Sequence, residues 1–287
     1  MFMLSEHKFI KLRDGVELHA EVKELGKPVW IIATHGIGEH LGRHRYIQDL
    51  FGYDFNIFQY DLRGHGRSMG RRAHVTDFNL FMEDLHEIIQ FLKDKYKMER
   101  YALFGHSMGG LITCSYIQNF ADKNFYPERV FVNAPPVGFP GALGELIRVS
   151  TKGMWRNIVK LPVTLPLGGL VDLNYLSHDP MVKENYIQDE LNSMKLHSKL
   201  LFEMVKCSKE TFSRPLRPEC PMYATIGTMD KIVNFEACDK YFKQIEKAVD
   251  YQTFDDAYHE LHNEIEKYRK PYFEHLKKVF MEILYTE

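Results

Sequence analysis

Tyr101-Ala102-Leu103-Phe104-Gly105-His106-Ser107-Met108-Gly109-Gly110 is the stretch that decides how this sequence folds. Apolar residues run into Gly-His-Ser-Met-Gly, and a helix-like stretch, Met108–Phe120, leaves it. This is G-x-S-x-G placed between a short strand and a helix. A serine there sits on a strained turn, so its hydroxyl projects from the end of the strand. The flanking glycines remove the Cβ atoms that would hold strand and helix apart. The new helix also points its first N–H groups at whatever reacts with the serine. A chance glycine turn is the bland alternative; the strand before and the helix after argue against it.

Reading outward, the chain starts as a hairpin, with His7–Arg13 and Val16–Val22 joined by the turn signal Asp14-Gly15. Val29–Thr34 is a continuous apolar run, as expected for a strand covered on both faces. Tyr46–Phe51 reads as helix and Phe55–Tyr60 as strand. Phe78–Tyr96 is an amphipathic helix with Phe78, Phe81, Leu85, Ile88, Ile89 and Leu92 on one face and Asp77 as a candidate cap. Arg129–Val132 is a further strand. Such alternation predicts a mostly parallel sheet flanked by helices. It breaks from Val137 to Arg214, where Leu143–Arg148, Trp155–Val159 and Glu190–Val205 read as helices without strands. It returns with the strand Pro221–Ile226, a helix over Phe235–Lys247, the strand Tyr251–Phe254 and a terminal helix from about Leu261. The expected organisation is a core over 1–136 and 215–287, with a helical cap inserted at 137–214.

A serine hydroxyl is a weak nucleophile and needs a base, and the base needs a group to orient it. Asp230 follows the strand ending near Gly227, and His259 follows the next strand, so both fall at carboxyl ends of strands, where sites of open α/β sheets gather. Asp255 and Asp256 share the loop of His259, and Asp239 lies in a predicted helix, so Asp230 is the better acid. His262, three residues after His259, forms a weak metal pattern. An oxyanion needs two N–H donors. Met108 N–H, next after the serine, supplies one; Ile37 N–H, in His35-Gly36-Ile37-Gly38 after the Val29–Thr34 strand, supplies the other. A rival reading takes Gly36-Ile37-Gly38-Glu39-His40-Leu41-Gly42 with Asp61 as a dinucleotide fingerprint and the chain as a nicotinamide oxidoreductase. Its spacing departs from G-x-G-x-x-G and it leaves Ser107, Asp230 and His259 without a role.

Five motifs in order resemble monoacylglycerol lipases and lysophospholipases of the α/β-hydrolase superfamily: His35–His40, Asp61–Ser68, Gly105–Gly110, Gly227–Asp230 and Tyr258–Glu260. The resemblance covers the chain from its first strands to its terminal helix. It implies an α/β-hydrolase fold with a helical cap, a triad of Ser107, Asp230 and His259, and oxyanion donors at Ile37 and Met108. It implies structural roles for His65 and His106, and it matches Leu176–Pro180 to a cap segment. His44 departs from relatives, which often carry an aromatic residue after the arginine matching Arg43. The substrate class implied is an acylglycerol or lysolipid ester, with no metal or organic cofactor. A thioesterase, a general carboxylesterase and a non-catalytic binding protein on the same fold remain as alternatives.

Composition agrees with one sizeable core. The chain has 287 residues, 45% hydrophobic and 26% charged. A formal charge of −2 gives no global field for nucleic acid. Cys114, Cys207, Cys220 and Cys238 form no CxxC pair and read as free thiols of a reducing compartment. With neither a signal-like start nor a long uncharged apolar run, the expectation is a cytoplasmic enzyme. In the cap, Leu143, Leu146, Ile147, Met154, Trp155, Ile158, Val159, Leu161, Val163, Leu165, Leu167 and Leu170 interleave with Lys152, Arg156 and Lys160. These apolar residues either pack the cap onto the core or line an acyl tunnel and rest on lipid.

Overall fold

A computed structural model describes residues 5–161 and 164–285. Strands β1 (Glu6–Lys11) and β2 (Glu17–Lys23) form the expected antiparallel hairpin, with Gly15 at φ 87° in its turn. The chain continues through β3 (Val29–Thr34), α1 (Tyr46–Phe51), β4 (Asn56–Tyr60), α2 (Asn79–Tyr96), β5 (Arg100–His106), α3 (Met108–Asn119) and β6 (Arg129–Asn133). Next come α4 (Gly141–Val149), α5 (Lys152–Ile158), the short strand β7 (Pro166–Gly168), α6 (Pro180–Gln188), the short strand β8 (Lys195–His197) and α7 (Ser198–Thr211). The core closes with β9 (Met222–Gly227), α8 (Phe235–Lys240), β10 (Val249–Phe254) and α9 (Glu266–Met281).

Eight strands form one sheet in the order β1-β2-β4-β3-β5-β6-β9-β10. β2 is antiparallel to β4, and every pairing from β4 to β10 is parallel. Every residue of β3 and β6 is buried, which is why β3 reads as a continuous apolar run. Successive side chains face opposite ways. Trp30 and Ile32 pack with α2 and α3 residues such as Leu85, Ile88 and Ile112. Val29, Ile31 and Ala33 pack with Phe51 of α1 and Leu276 and Phe280 of α9. Each large apolar side chain so buried contributes about 1.5–3 kcal/mol. The N-cap of α2 is Phe78, with no side-chain capping bond, rather than Asp77; Asp77 stands one residue earlier, its Oδ1 accepting from Asn79 N–H at 3.0 Å.

The segment between β6 and β9 departs most from expectation. It contains a two-stranded antiparallel ribbon, β7 with β8, where only helices were expected. The helix expected over Glu190–Val205 begins at Ser198, because 195–197 extend to pair with 166–168. An unexpected helix, α6, is started by Asp179, whose side chain accepts from Met181 N–H, and by Pro180 in its first turn. Beyond it, α8 ends at Lys240 and widens into a π turn over Tyr241–Ile245, short of Lys247. The terminal helix starts at Glu266 rather than near Leu261, since the backbone before it is tied up in turns around Glu260 and Glu264. Val163 and the side chain of Leu143 lie outside the described residues.

Candidate active site

Ser107 joins β5 to α3 at φ 53° and ψ −118°, a conformation that costs a residue with a Cβ of order 1–3 kcal/mol. The close packing behind it needs the glycines. A Cβ on Gly105 would come 2.5 Å from Gly109 O, and one on Gly109 would overlap the carbonyl oxygens of Thr34 and His35. Ser107 N–H donates to Asn133 O at 2.8 Å, which fixes the turn against β6.

Asp230 and His259 meet across β9 and β10. His259 Nδ1 lies 2.7 Å from Asp230 Oδ2, with side-chain exposures of 4% and 0%. Asp230 Oδ1 accepts from the N–H groups of Ile232 at 2.8 Å and Val233 at 2.9 Å. An ionised carboxylate only accepts, so His259 Nδ1 carries the proton and Nε2 keeps its lone pair. Burial opposes a charge on His259, but the Asp230 carboxylate outweighs it and raises the imidazole pKa above its ordinary value. Ser107 shares a pocket wall with His259, and no hydrogen bond joins the two in this resting geometry.

The loop after β3 is held from both sides. Glu39 Oε1 accepts from Gly36 N–H at 2.5 Å and pairs with His44 Nε2 at 2.8 Å. Arg43 bridges Glu39 Oε2 at 3.0 Å and Glu260 Oε2 at 2.5 Å, and its guanidinium lies 4.8 Å from the centroid of the Tyr186 ring. Burial alone would push the Glu39 carboxyl up; His44 and Arg43 hold it well below the usual range. Gly38, at φ 71°, offers its carbonyl to Tyr186 Oη at 2.8 Å and Ser193 N–H at 2.7 Å. The loop carrying His259 is tied similarly: His259 N–H donates to Tyr175 O at 3.2 Å and Glu260 N–H to Leu176 O at 2.8 Å.

Residues 28–266 match a hydrolase family described as serine aminopeptidase, S33. The chain belongs to this family. It is an α/β-hydrolase, and its family makes it a serine hydrolase. It is 25% identical over 240 residues to a monoacylglycerol lipase of Mycolicibacterium smegmatis, covering 83% of each chain. It is 27% identical over 256 residues to an uncharacterized abhydrolase domain-containing protein of Dictyostelium discoideum; that match covers 84% of this chain but only 25% of the relative. The crystal structure of Paleococcus ferrophilus monoacylglycerol lipase superposes with a TM-score of 0.77 at 26% identity, covering 91% of this chain and 99% of that one.

In this α/β-hydrolase His259 meets Asp230 and shares a pocket lining with Ser107, whereas the other candidates have different surroundings. Asp255 and Asp256 are exposed, and Asp239 pairs with Lys243 at 2.7 Å. His262 is buried beside the site, stacked on Tyr46 with ring centroids 4.9 Å apart; neither ring nitrogen has a partner among the described residues. Burial pushes its pKa and that of His106 well below the ordinary value, so both stay neutral. His106 Nδ1 is held by Asn133 Nδ2 at 2.9 Å, a scaffold contact as the resemblance implied. His65 is likewise buried, its Nδ1 bonded to Arg63 O. The dinucleotide reading fails on geometry. Residues Leu41–His44 form a 3₁₀ turn rather than a helix start, and the Asp61 carboxylate is filled by Leu41 N–H, Arg67 N–H and His19.

Two adjoining pockets meet at Ile37, Val171, Leu173 and Tyr186. One is lined by Ser107, His259, Glu39 and Glu260. The other, referred to below as the outer pocket, is lined mainly by apolar residues, Leu167, Leu170 and Leu196 among them. The sequence offered Glu39 and Glu260 inside its motifs and Arg43 beside His44 but gave no sign that they join. Tyr186 carried no local signal.

Proposed function

We propose that this chain hydrolyses carboxylic esters of lipids, acylglycerols or lysolipids, through an acyl-enzyme on Ser107. The observation that carries the reading is the closed His259–Asp230 pair, buried at the pocket where Ser107 sits on its strained turn. His259 Nε2 takes the Ser107 proton as Oγ attacks the ester carbonyl carbon. The tetrahedral oxyanion is held by the N–H groups of Ile37 and Met108. Collapse expels the alcohol, which receives the proton from His259. A water molecule, activated by the same base, then releases the fatty acid and frees Ser107. The scheme uses only the chain's own groups and water.

Substrate class follows from the pocket's two ends. Glu39, Glu260 and Tyr186 form a polar wall suited to the hydroxyls of a glycerol group. The outer pocket suits an acyl chain, at about 0.8 kcal/mol per methylene removed from water. The monoacylglycerol lipases among the relatives support the same class. Residues 137–214 would form the cap. Part of that segment packs inward, Ile147 and Trp155 with Val205, and Ile158 against them. Leu146, Val149, Met154, Leu161, Leu165 and Leu170 are exposed and would meet a lipid surface. Among the described residues no helix is long and apolar enough to cross a membrane, so the contact would be peripheral.

The test is a substrate panel: short and long acyl esters, monoacylglycerols, lysophospholipids and an aminoacyl anilide, each with wild type and Ser107→Ala. Long-chain monoacyl esters should lead, and Ser107→Ala should lose about three or more orders of magnitude in kcat. A folded Ser107→Ala that keeps substantial ester hydrolysis removes the mechanism. Preference for the anilide moves the chain to peptidase chemistry.

A further inference from the structure

The net charge of −2 conceals a marked segregation along the chain. Residues 62–76 contain Arg63, Arg67, Arg71 and Arg72 and no carboxylate; 146–171 contain Arg148, Lys152, Arg156 and Lys160 and no carboxylate; 191–202 contain Lys195 and Lys199 and no carboxylate. The fold brings the three segments together at one edge. His197 N–H donates to Ala73 O at 3.0 Å, and the rings of His74 and His197 lie 5.5 Å apart. Thr164 Oγ1 is 3.3 Å from His197 Nδ1, and Leu165 N–H donates to Ser198 Oγ at 3.0 Å. Lys199 Nζ reaches Val159 O, next to Lys160. Pairing of β7 with β8 sets Gly168 opposite Lys195.

Some of these cations are already engaged. Lys199 pairs with Glu203, Arg156 with Glu210, Arg148 with Glu145, and Arg63 is buried against Asp84. Arg71, Lys160 and Lys195 are exposed and enter no ion pair among the described residues. Arg71 presses on both His74 and His197, and both imidazoles are held below their ordinary pKa, burial first and neighbouring cations after it. Leu161, next to Lys160 in the chain, and Leu165, bonded through its N–H to Ser198 Oγ beside β8, are each 57% exposed. The ribbon that carries Lys195 also lines the outer pocket, through Leu167, Met194 and Leu196.

We propose that this edge, Arg71, Lys160 and Lys195 with Leu161 and Leu165, docks the enzyme on anionic lipid surfaces at the mouth of its acyl pocket. It rests on the interfacial reading above and adds the lipid charge. A soluble polyanion such as nucleic acid would use the cations and have no need of the two exposed leucines. A neutral bilayer would use the leucines and have no need of the cations. A surface of phosphate-bearing anionic lipid uses both, with the cations at headgroup depth and the leucines below. Each basic side chain near an anionic leaflet strengthens binding about fivefold, so three give on the order of a hundredfold.

The experiment is vesicle co-sedimentation of the full chain on phosphatidylcholine alone and on phosphatidylcholine mixed with phosphatidylglycerol, at low and physiological salt. Hydrolysis of a short soluble ester is measured on the same samples. Two variants are compared with wild type: Arg71→Gln/Lys160→Gln/Lys195→Gln and Leu161→Gln/Leu165→Gln. Wild type should favour the anionic vesicles, less so as salt rises. The cation variant should lose about a hundredfold on anionic vesicles and change little on neutral ones, with short-ester hydrolysis kept by both variants. Equal wild-type binding to both vesicles, or a cation variant that binds anionic vesicles undiminished, overturns the charge proposal and leaves the interfacial reading standing. Binding to neither vesicle overturns both. If the leucine variant binds anionic vesicles as wild type does, the site is a polyanion site and the lipid assignment falls.

Discussion

Asp230→Asn tests the proposed triad with the least disturbance of shape. Asp230 Oδ1 accepts from Ile232 and Val233 N–H, and an asparagine carbonyl oxygen can keep both bonds. Its NH₂ group then occupies the place of Oδ2, 2.7 Å from His259 Nδ1. A donor facing Nδ1 requires a lone pair there, which sends the imidazole proton to Nε2. That tautomer cannot accept the Ser107 proton. The Asp230 side chain has no exposure, so water cannot restore the carboxylate's role. The expected loss is about four orders of magnitude in kcat, or about 5 kcal/mol of transition-state stabilisation. The assay is kcat on a short soluble ester, with thermal unfolding and fluorophosphonate labelling of Ser107 alongside. Asp255→Asn, at an exposed position, is the control and should stay close to wild type. A folded Asp230→Asn within tenfold of wild type, or an Asp255→Asn equally damaged, refutes the assignment of the acid.

The remaining predictions concern protons and the oxyanion loop. His259 must be neutral to act and its pKa is raised, so kcat/KM should fall as pH drops through a value above the ordinary histidine pKa of about 6.5; an acid limb well below that would contradict the Asp230 contact. His35, pushed down to about 3 by burial, His106 and His262 stay neutral in the folded state while the unfolded chain protonates them, so their share of stability is present above about pH 6.5 and drains away below it. Unfolding measured across that range should show a stability loss toward acid, and a flat profile would contradict their burial as neutral groups. Tyr186→Phe removes one of two donors to Gly38 O while leaving the ring under Arg43. The loss should be about 1 kcal/mol, appearing as a roughly fivefold lower kcat and equally weaker boronic-acid inhibition; an unchanged affinity for the boronic acid would free the oxyanion loop from Tyr186.

The legible parts of this chain are those set by local pattern. β3 is buried on both faces, so burial writes itself as an apolar run, and Gly105 and Gly109 mark a contact no side chain could enter. Asp230 and His259 could be placed because each follows a strand that reads clearly. What stayed hidden depends on partners distant in sequence. Glu260 reaches Arg43 across more than two hundred residues, and no spacing rule predicts such a pair. α6 buries only Tyr186, so it lacks an apolar stripe to announce it. β7 is three residues long and includes a proline and a glycine, and only its pairing with β8 makes it a strand.

Those hidden contacts also limit how substrate can enter. Tyr175 and Leu176 carry backbone bonds from His259 and Glu260, and Tyr186 and Ser193 hold Gly38. His40 Nε2 adds a 2.8 Å contact to Asp189 at the end of α6. A cap hinging away as one body would pull on the base loop and the oxyanion loop together, undoing the arrangement that the chemistry needs. Residues 175–193 are therefore tied to the loops that carry Gly38 and His259. α4 and α5 have no such ties: they are fastened to α7 by a small cluster around Ile147, Trp155 and Val205 and by polar contacts such as Lys209 Nζ to Ile147 O. α4 and α5 present Leu146, Val149 and Met154 outward.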